Sequence, residues 1–380
     1  MLEIYNKIYK IILTALLSVL MLYNYSIFFK SRNIPLDIII CGSLIILIII
    51  YMILVHYRLS VSNLMLILVF IVLSILIRKY EIYELFLFCI AFLLINPYSI
   101  LNIYKESIGI TLFVSIILSI INNNIYNQQG DAFTFGFANQ NTIAFLLSFI
   151  AILFLIKQNN NKIYFKANII NILFFSIAFL INHFLFQDRT IEIAMILVVM
   201  LVFSKKVYKY KLVKAFILTL PIILTYFTQY LAYEFSNNIS WLNNFNDLLS
   251  DRIRIWNYYF TLMPLKVLSQ NKIFVYSWGV NYTPHQGAFD GSYAYLLYIY
   301  GYLFTIIYII LLCLCNYKLL KYKQYRLLTI MIVLEIIGFS ENQMFSYLCS
   351  FTSIFTMLSL DNRWLEKLNY IRGVSDETKE

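Results

Sequence analysis

Charge is scarce in this chain. Asp, Glu, Lys and Arg make up 13% of its 380 residues, and hydrophobic residues make up 61%. A soluble domain carries about 25% charged residues, so ordinary soluble classes are excluded. Chemically versatile side chains are few as well, with three histidines and five cysteines. Cys41, Cys89, Cys313, Cys315 and Cys349 all sit in or at the ends of apolar stretches. They form neither a metal-ligand spacing nor a disulfide framework, and read as small packing residues. There is no Gly-rich phosphate cradle, no Ser-His-Asp set, no Cys/His metal set and no nucleotide-binding domain. No cofactor or metal is therefore expected, and a substrate would have to arrive already activated. Internal repeats and low-complexity linkers are lacking too, so residues 1–380 read as a single membrane domain.

What is present is hydrocarbon. Apolar runs of about twenty residues match the length needed to cross a core of about 30 Å at 1.5 Å per residue. Outer-membrane strands would be shorter and would alternate polar with apolar. Runs such as Ile38–Val55 do not alternate, so the expected spans are helical. A first span at 11–29 follows Lys7 and Lys10 and reads as a signal anchor, since no small-residue cleavage site follows it. Further spans fall at 36–55, 59–77, 82–96, 107–121, 140–156, 167–186, 190–204, 212–232, 292–315, 326–340 and 343–360. The fold class expected is an all-α polytopic integral membrane protein of about twelve transmembrane helices.

With the N-terminus inside, the cytoplasmic segments hold 20 of the 29 basic residues. That asymmetry favours two cytoplasmic termini. It also explains the net charge of +10 without a nucleic-acid partner. Richness in Ile, Asn, Lys, Tyr and Phe is the composition expected of an AT-rich, bacterial genome. Residues 233–291 then form one large extracytoplasmic loop, and 122–138 a second. Gly130, Gly136, Gly279, Gly287 and Gly291, five of only ten glycines, lie in these two loops. Shaped backbone is thus concentrated on one face, as a site there would require.

The candidate residues lie on that face. Arg189 opens a span, and an arginine there is costly unless paired or functional. Glu192, one turn on, offers a structural ion pair, and Arg189 could bind a phosphate at the same time. Residues 241–260 read as one surface helix with Trp241, Phe245, Leu248, Arg252, Ile255 and Tyr259 on a single stripe. Arg252 on the stripe is either functional or a snorkelling arginine. Arg254 faces Asp251 and Asp247, where a solvated ion pair is expected. His285 lies in a Pro-His-Gln-Gly turn and could take a proton near neutral pH. Asp290 could be a base, a hydrogen-bond acceptor for a sugar, or a helix N-cap. Asn139 and Asn141 could bind sugar hydroxyls or cap the span they open.

Five segments together resemble the O-antigen and capsular polysaccharide polymerase (Wzy-type) family and its O-antigen ligase relatives. Phe137–Phe145 is similar to the family's Asn-Thr opening of a middle span. Gln187-Asp-Arg-Thr190 is similar to its Ser-Arg-Thr outer turn. Ser250–Trp256 holds an Arg-x-x-x-Trp, Asp290–Leu297 with Gly301 resembles its polar-Asn-Ser-Tyr-Leu stretch, and Phe339–Asn342 fits its last outer turn. The likeness covers residues 122 to the C-terminus. It departs at Gly291, where the family has Asn, and at His285, five residues before the usual polar position.

The resemblance implies a glycosyltransferase that joins undecaprenyl-diphosphate-linked repeat units into capsular, exopolysaccharide or O-antigen chains, without nucleotide or metal. Partners implied are the lipid-linked oligosaccharides, membrane lipid and a chain-length regulator protein. The candidate set is catalytic Arg189, Arg252, Asp290 and His285, with substrate contacts from Asn139, Asn141, Arg254, Trp256, Tyr293 and Glu341. A ligase that transfers finished polymer is a close alternative. A lipid-linked oligosaccharide flippase is a more distant one, disfavoured by the long outer loop and the lack of symmetric halves.

Overall fold

The computed structural model describes residues 2–29, 36–56, 59–126, 132–159, 162–165, 168–203, 205–237, 239–268 and 289–367. In order, the helices are α1 (Leu2–Tyr25), α2 (Leu36–Val55), α3 (Val61–Ile77), α4 (Tyr80–Leu93), α5 (Pro97–Ile121) and α6 (Gln140–Leu155). A small antiparallel ribbon, Ile156–Asn159 with Lys162–Phe165, leads to α7 (Ile169–Ile181), α8 (Arg189–Phe203) and α9 (Lys211–Glu234). Next come α10 (Ser240–Leu248), α11 (Arg252–Leu262), α12 (Ser292–Tyr295), α13 (Gly301–Lys321), α14 (Tyr325–Ile337), α15 (Thr352–Leu358) and α16 (Asn362–Glu366). Single π-turns, Asn182–Phe186 and Leu296–Tyr300, extend α7 and join α12 to α13.

Among the described residues, six helical segments are long and apolar enough to cross a membrane: Glu3–Tyr25, Leu36–Val55, Pro97–Ile121, Ile169–Phe186, Lys211–Asn237 and Ser292–Lys321. The chain is accordingly a helical multi-pass membrane protein. Side-chain exposure sorts the helices into layers. In the most apolar stretch of the 292–321 segment 67% of the residues are buried, which makes it central, against 17% in the peripheral 169–186. Peripheral helices turn Ile46, Ile53, Ile170, Leu173 and Leu68 outward, an arrangement that suits hydrocarbon rather than water as solvent.

Helix starts are set by amides and hydroxyls. Asn96 accepts from the Tyr98 N–H at 3.0 Å ahead of Pro97, and Asn168 accepts from Asn171 at 2.8 Å. Ser60 and Asn63 form a reciprocal capping box on α3. Each satisfies a donor that the first turn leaves free.

Hydrogen bonds also define two ends of the bundle. At one end Asp361 accepts from Ser62 and Asn63, each at 3.0 Å, Trp364 donates to the Phe92 carbonyl at 3.3 Å, and Lys318 donates to the Ser359 carbonyl. At the other end Tyr25 meets Ser346 at 2.9 Å, Ile27 donates to the Gly136 carbonyl at 2.9 Å, and Asn342 donates to the Phe289 carbonyl at 2.8 Å.

Two expectations need correction. The stretch 343–360 is not one helix. A 3-10 turn (Asn342–Met344) and further turns precede the seven-residue α15. Ser350 and Ser353 bind the carbonyls of Gln343, Met344 and Phe345, and Tyr104 donates to the Tyr347 carbonyl. These side chains compete with the helix for backbone groups, and irregular backbone is tolerated in an apolar setting where protein surrounds it. The second correction concerns residues 241–260, which form two helices and not one.

Candidate active site

The site is built at the end that holds Tyr25 and Ser346. Its first wall is the junction of α7 and α8. The π-turn ends at Gln187, in the left-handed region (φ 53°), whose N–H donates to the Asn182 carbonyl at 2.6 Å. Asn182 in turn donates to the Asp188 carbonyl at 3.0 Å. This turn drives Asp188 inward. Its Oδ1 caps α8 by accepting from the Ile191 N–H at 3.2 Å, and its Oδ2 is buried with no hydrogen-bond partner. Helical rotation then points Arg189 outward. Arg189 is exposed and has no ion pair among the described residues, because Glu192 pairs with His183 at 3.3 Å. The expected Arg189–Glu192 bridge is absent. Thr190 turns back in and accepts from Ser340 at 3.4 Å.

The second wall is α11. The stripe continued in sequence across 241–260, but the chain breaks at Ser250 (φ 53°) and Asp251 (φ 64°), both left-handed without being glycine. Asn246 is the template for this turn. It donates to Asp251 Oδ1 at 2.8 Å and accepts from the Arg254 N–H at 2.9 Å. The break resets the helical phase. Trp241 and Leu248 are exposed, whereas Arg252, Ile253, Ile255, Trp256, Tyr259 and Phe260 are buried. Arg252 is therefore an interior residue and not a snorkelling one. Arg254 makes the expected ion pair with Asp251, at 2.9 Å.

The third wall joins 289–292 to 338–342. Gly291 has φ 100°, and a Cβ there would lie 2.8 Å from Trp256 and 3.0 Å from the Phe339 carbonyl. Only glycine fits this crossing. Trp256 Nε1 donates to the Asp290 carbonyl at 2.6 Å. Ser292 donates through its hydroxyl to the Glu341 carbonyl at 2.7 Å, and through its N–H to Gly338 and Glu341. The N-cap of α12 is Gly291, with no side-chain bond, so Asp290 does not cap it. Asp290 instead accepts from Asn342 at 3.3 Å and faces Arg252.

These walls enclose one cation among three carboxyl groups. Arg252 Nη2 bonds Glu341 Oε1 directly and lies 3.8 Å from Asp290 Oδ2. Asp188 is within electrostatic reach of Arg252, Asp290 and Glu341. Burial pushes the Asp188 carboxyl up to about 6, against the Ile191 N–H and the Arg252 charge. Burial raises Asp290 too, opposed by Arg252. Glu341 is raised well above the usual range by burial and by its two acidic neighbours, again opposed by Arg252. One guanidinium cannot neutralise three carboxylates in a site shielded from water, so the set holds protons near neutral pH. Buried Arg252 Nε, Asp188 Oδ2 and Asn342 Oδ1 have no partner among the described residues.

The structure thus brings together four of the five segments that carried the family resemblance. Arg252, Asp290, Glu341 and Trp256 meet in one place. Trp256 and Tyr293 are fully buried, and the Tyr293 hydroxyl donates to the Glu335 carbonyl at 3.1 Å, so both hold the walls and present no face to a ligand. Asn139 accepts from the Asn141 N–H at 2.8 Å, which is a cap for α6, and Asn141 is half-buried. His285 lies outside the described residues. Asp188 and Asn342 are site residues that the sequence reading did not select, although both lie inside the quoted segments. No family model, curated protein or solved structure matches the chain.

Proposed function

We propose that the protein is a membrane glycosyltransferase that polymerises oligosaccharide repeat units carried on undecaprenyl diphosphate, at the outer face of a bacterial cytoplasmic membrane. The observation that carries this reading is the convergence of Asp188, Arg252, Asp290 and Glu341 at one end of the helical bundle. A lipid-linked substrate presents its diphosphate and first sugar at that depth. We take the bundle as twelve spans with both termini cytoplasmic and residues 233–291 outside, in keeping with the basic residues.

Division of labour follows from the geometry. Arg189 is exposed and unpaired among the described residues, and is the cation open to the donor diphosphate. A guanidinium offers diphosphate two parallel hydrogen bonds and keeps its charge. It neutralises charge that builds on the leaving group as the glycosidic bond breaks. Arg252 is held by Glu341 and fixes the carboxyl groups around it. The acceptor's terminal hydroxyl attacks the anomeric carbon, and its proton passes to the carboxyl cluster. Asp290, with a side chain 25% exposed, is where that cluster reaches the surface.

The test is Arg189→Ala in the native host. Long polymer should disappear while single lipid-linked units persist, and normal chain lengths would remove Arg189 from the mechanism. Deletion of the whole gene separates the related activities. A lost polymerase leaves capped single repeats, a lost ligase leaves long polymer on the carrier, and a lost flippase leaves units facing inward.

A further inference from the structure

Two orphaned atoms of opposite hydrogen-bonding sense lie in the cluster. Arg252 Nε is a buried N–H donor without an acceptor, and Asp188 Oδ2 is a buried acceptor without a donor. Each belongs to a residue more than nine-tenths buried, with Arg252 8% and Asp188 7% exposed. Leaving either unsatisfied costs about 1–3 kcal/mol, and more for a charged group, so each calls for a partner in the working protein. A hydroxyl is the simplest group that accepts one hydrogen bond and donates another. Arg252 Nη2 is taken by Glu341, Asp188 Oδ1 accepts from the Ile191 N–H, and the Thr190 N–H also supports the Asp188 carboxyl.

We infer that Arg252 Nε and Asp188 Oδ2 frame a hydroxyl-binding position, and that Asp188 is the group that takes the proton from the acceptor saccharide's attacking hydroxyl. This rests on the glycosyltransferase reading above. In turnover the acceptor hydroxyl enters past Asp290, accepts from Arg252 Nε–H and donates to Asp188 Oδ2. As its oxygen bonds to the anomeric carbon, the bond from that carbon to the diphosphate oxygen breaks. The electron pair leaves on the lipid diphosphate, and the hydroxyl proton ends on Asp188. Arg252 is then both the anchor of Glu341 and a donor to the nucleophile.

Other charged groups surround Asp188. Arg252 comes from α11, Asp290 from the turn before α12, and Glu341 from the turn after α14. Arg189 and the His183–Glu192 pair lie on its own connection and are turned outward. Burial holds Asp188 partly protonated near pH 6, so turnover should rise with pH through that range.

The decisive variant is Asp188→Asn. Asparagine caps helices as well as aspartate does, so α8 keeps its start while the proton acceptor is lost. Purified protein in lipid vesicles would be given synthetic lipid-linked repeat units. Wild type should show an acidic limb near pH 6. Asp188→Asn should lose 100-fold or more in kcat, the range for general base removal, with KM changed less than threefold and the acidic limb abolished. Thermal unfolding checks that the variant is folded. If it is not, the wild-type acidic limb decides, and a flat profile between pH 5 and 7 overturns the inference. Turnover by a folded Asp188→Asn within threefold of wild type also overturns it, leaving Asp188 as a cap beside a bound water only. No polymer from wild type removes the glycosyltransferase reading itself, and this inference with it.

Discussion

Removing Arg252 should harm the fold far more than removing the carboxylate it bonds. Glu341 is 2% exposed and the Arg252 side chain 10%. Breaking a buried pair by deleting one partner costs about 3–5 kcal/mol, because the other charge is left uncompensated. The two partners are not equivalent here. Arg252→Met strands Asp188, Asp290 and Glu341 with no cation among them. Glu341→Gln leaves Arg252 with Asp290 at 3.8 Å and Asp188 nearby, and keeps an acceptor oxygen for the guanidinium. Its cost should be the smaller one of a neutralised hydrogen bond, about 1–2 kcal/mol. The difference between the two single variants is therefore about 1–4 kcal/mol. Arg252→Met/Glu341→Met should be less damaging than Arg252→Met alone, since it also removes one stranded acid. The Arg252→Met defect should shrink at acid pH, where the remaining carboxyls are neutral. Denaturant unfolding of detergent-solubilised protein, followed by tryptophan fluorescence at pH 5 and pH 8, measures all of these. Equal costs for the two single variants, or an Arg252→Met defect independent of pH, would refute the three-acid, one-cation description.

Asp188 also makes a stability prediction. Its carboxyl is raised from 3.8 to about 6 in the folded protein, so the folded state binds more protons than the unfolded state between those values. The stabilisation is complete below about 3.8 and is lost as pH rises through about 6. Its size is about 3 kcal/mol at most. Wild type should unfold at higher temperature at pH 5 than at pH 7.5, and Asp188→Asn should flatten that difference; a difference unchanged by Asp188→Asn would contradict the assignment. Gly291→Ala tests the backbone crossing. The added Cβ meets Trp256 at 2.8 Å and the Phe339 carbonyl at 3.0 Å in a conformation with φ 100°. A loss of about 2–4 kcal/mol is expected from strain and overlap, with polymer formation lost as Asp290 is displaced; unfolding unchanged within 0.5 kcal/mol, a bound typical of neutral surface changes, would argue against that crossing.

How far the site could be read from sequence depends on the kind of signal each residue leaves. Arg252, Asp290 and Glu341 stand out because a charge in a greasy chain needs a reason. Asp188 is as charged as they are, yet it sits beside Arg189, and a phosphate-binding arginine is the more conspicuous hypothesis. Neighbouring residues at a helix start point in different directions, so one faces the cluster and the other faces out. Only the π-turn and the left-handed Gln187 decide which, and neither has a sequence signature. The same holds for the break before α11. Spacings of three and four run straight through Ser250 and Asp251, and two left-handed non-glycine residues held by Asn246 interrupt them. In the 343–360 stretch apolar content pointed to a helix, while its serines bound backbone carbonyls and bent it.

The position of the cluster bears on what kind of machine this is. A transporter of a lipid-linked head group needs its polar site to face each side of the membrane in turn, and such sites lie near the bilayer midplane between movable halves. Here the acids and the arginine sit at one end of the bundle, at the connections before α8, α11 and α12 and after α14. The opposite end is tied by Asp361 to Ser62 and Asn63, by Trp364 to Phe92 and by Tyr208 to Thr329 at 2.7 Å. Those bonds link elements from the start, middle and end of the chain, and they favour a fixed base over a pair of rocking halves. A site open at one end suits chemistry on a substrate that has already crossed. On the proposed reading the carboxyls manage a proton, and the buried guanidinium holds them together at that end.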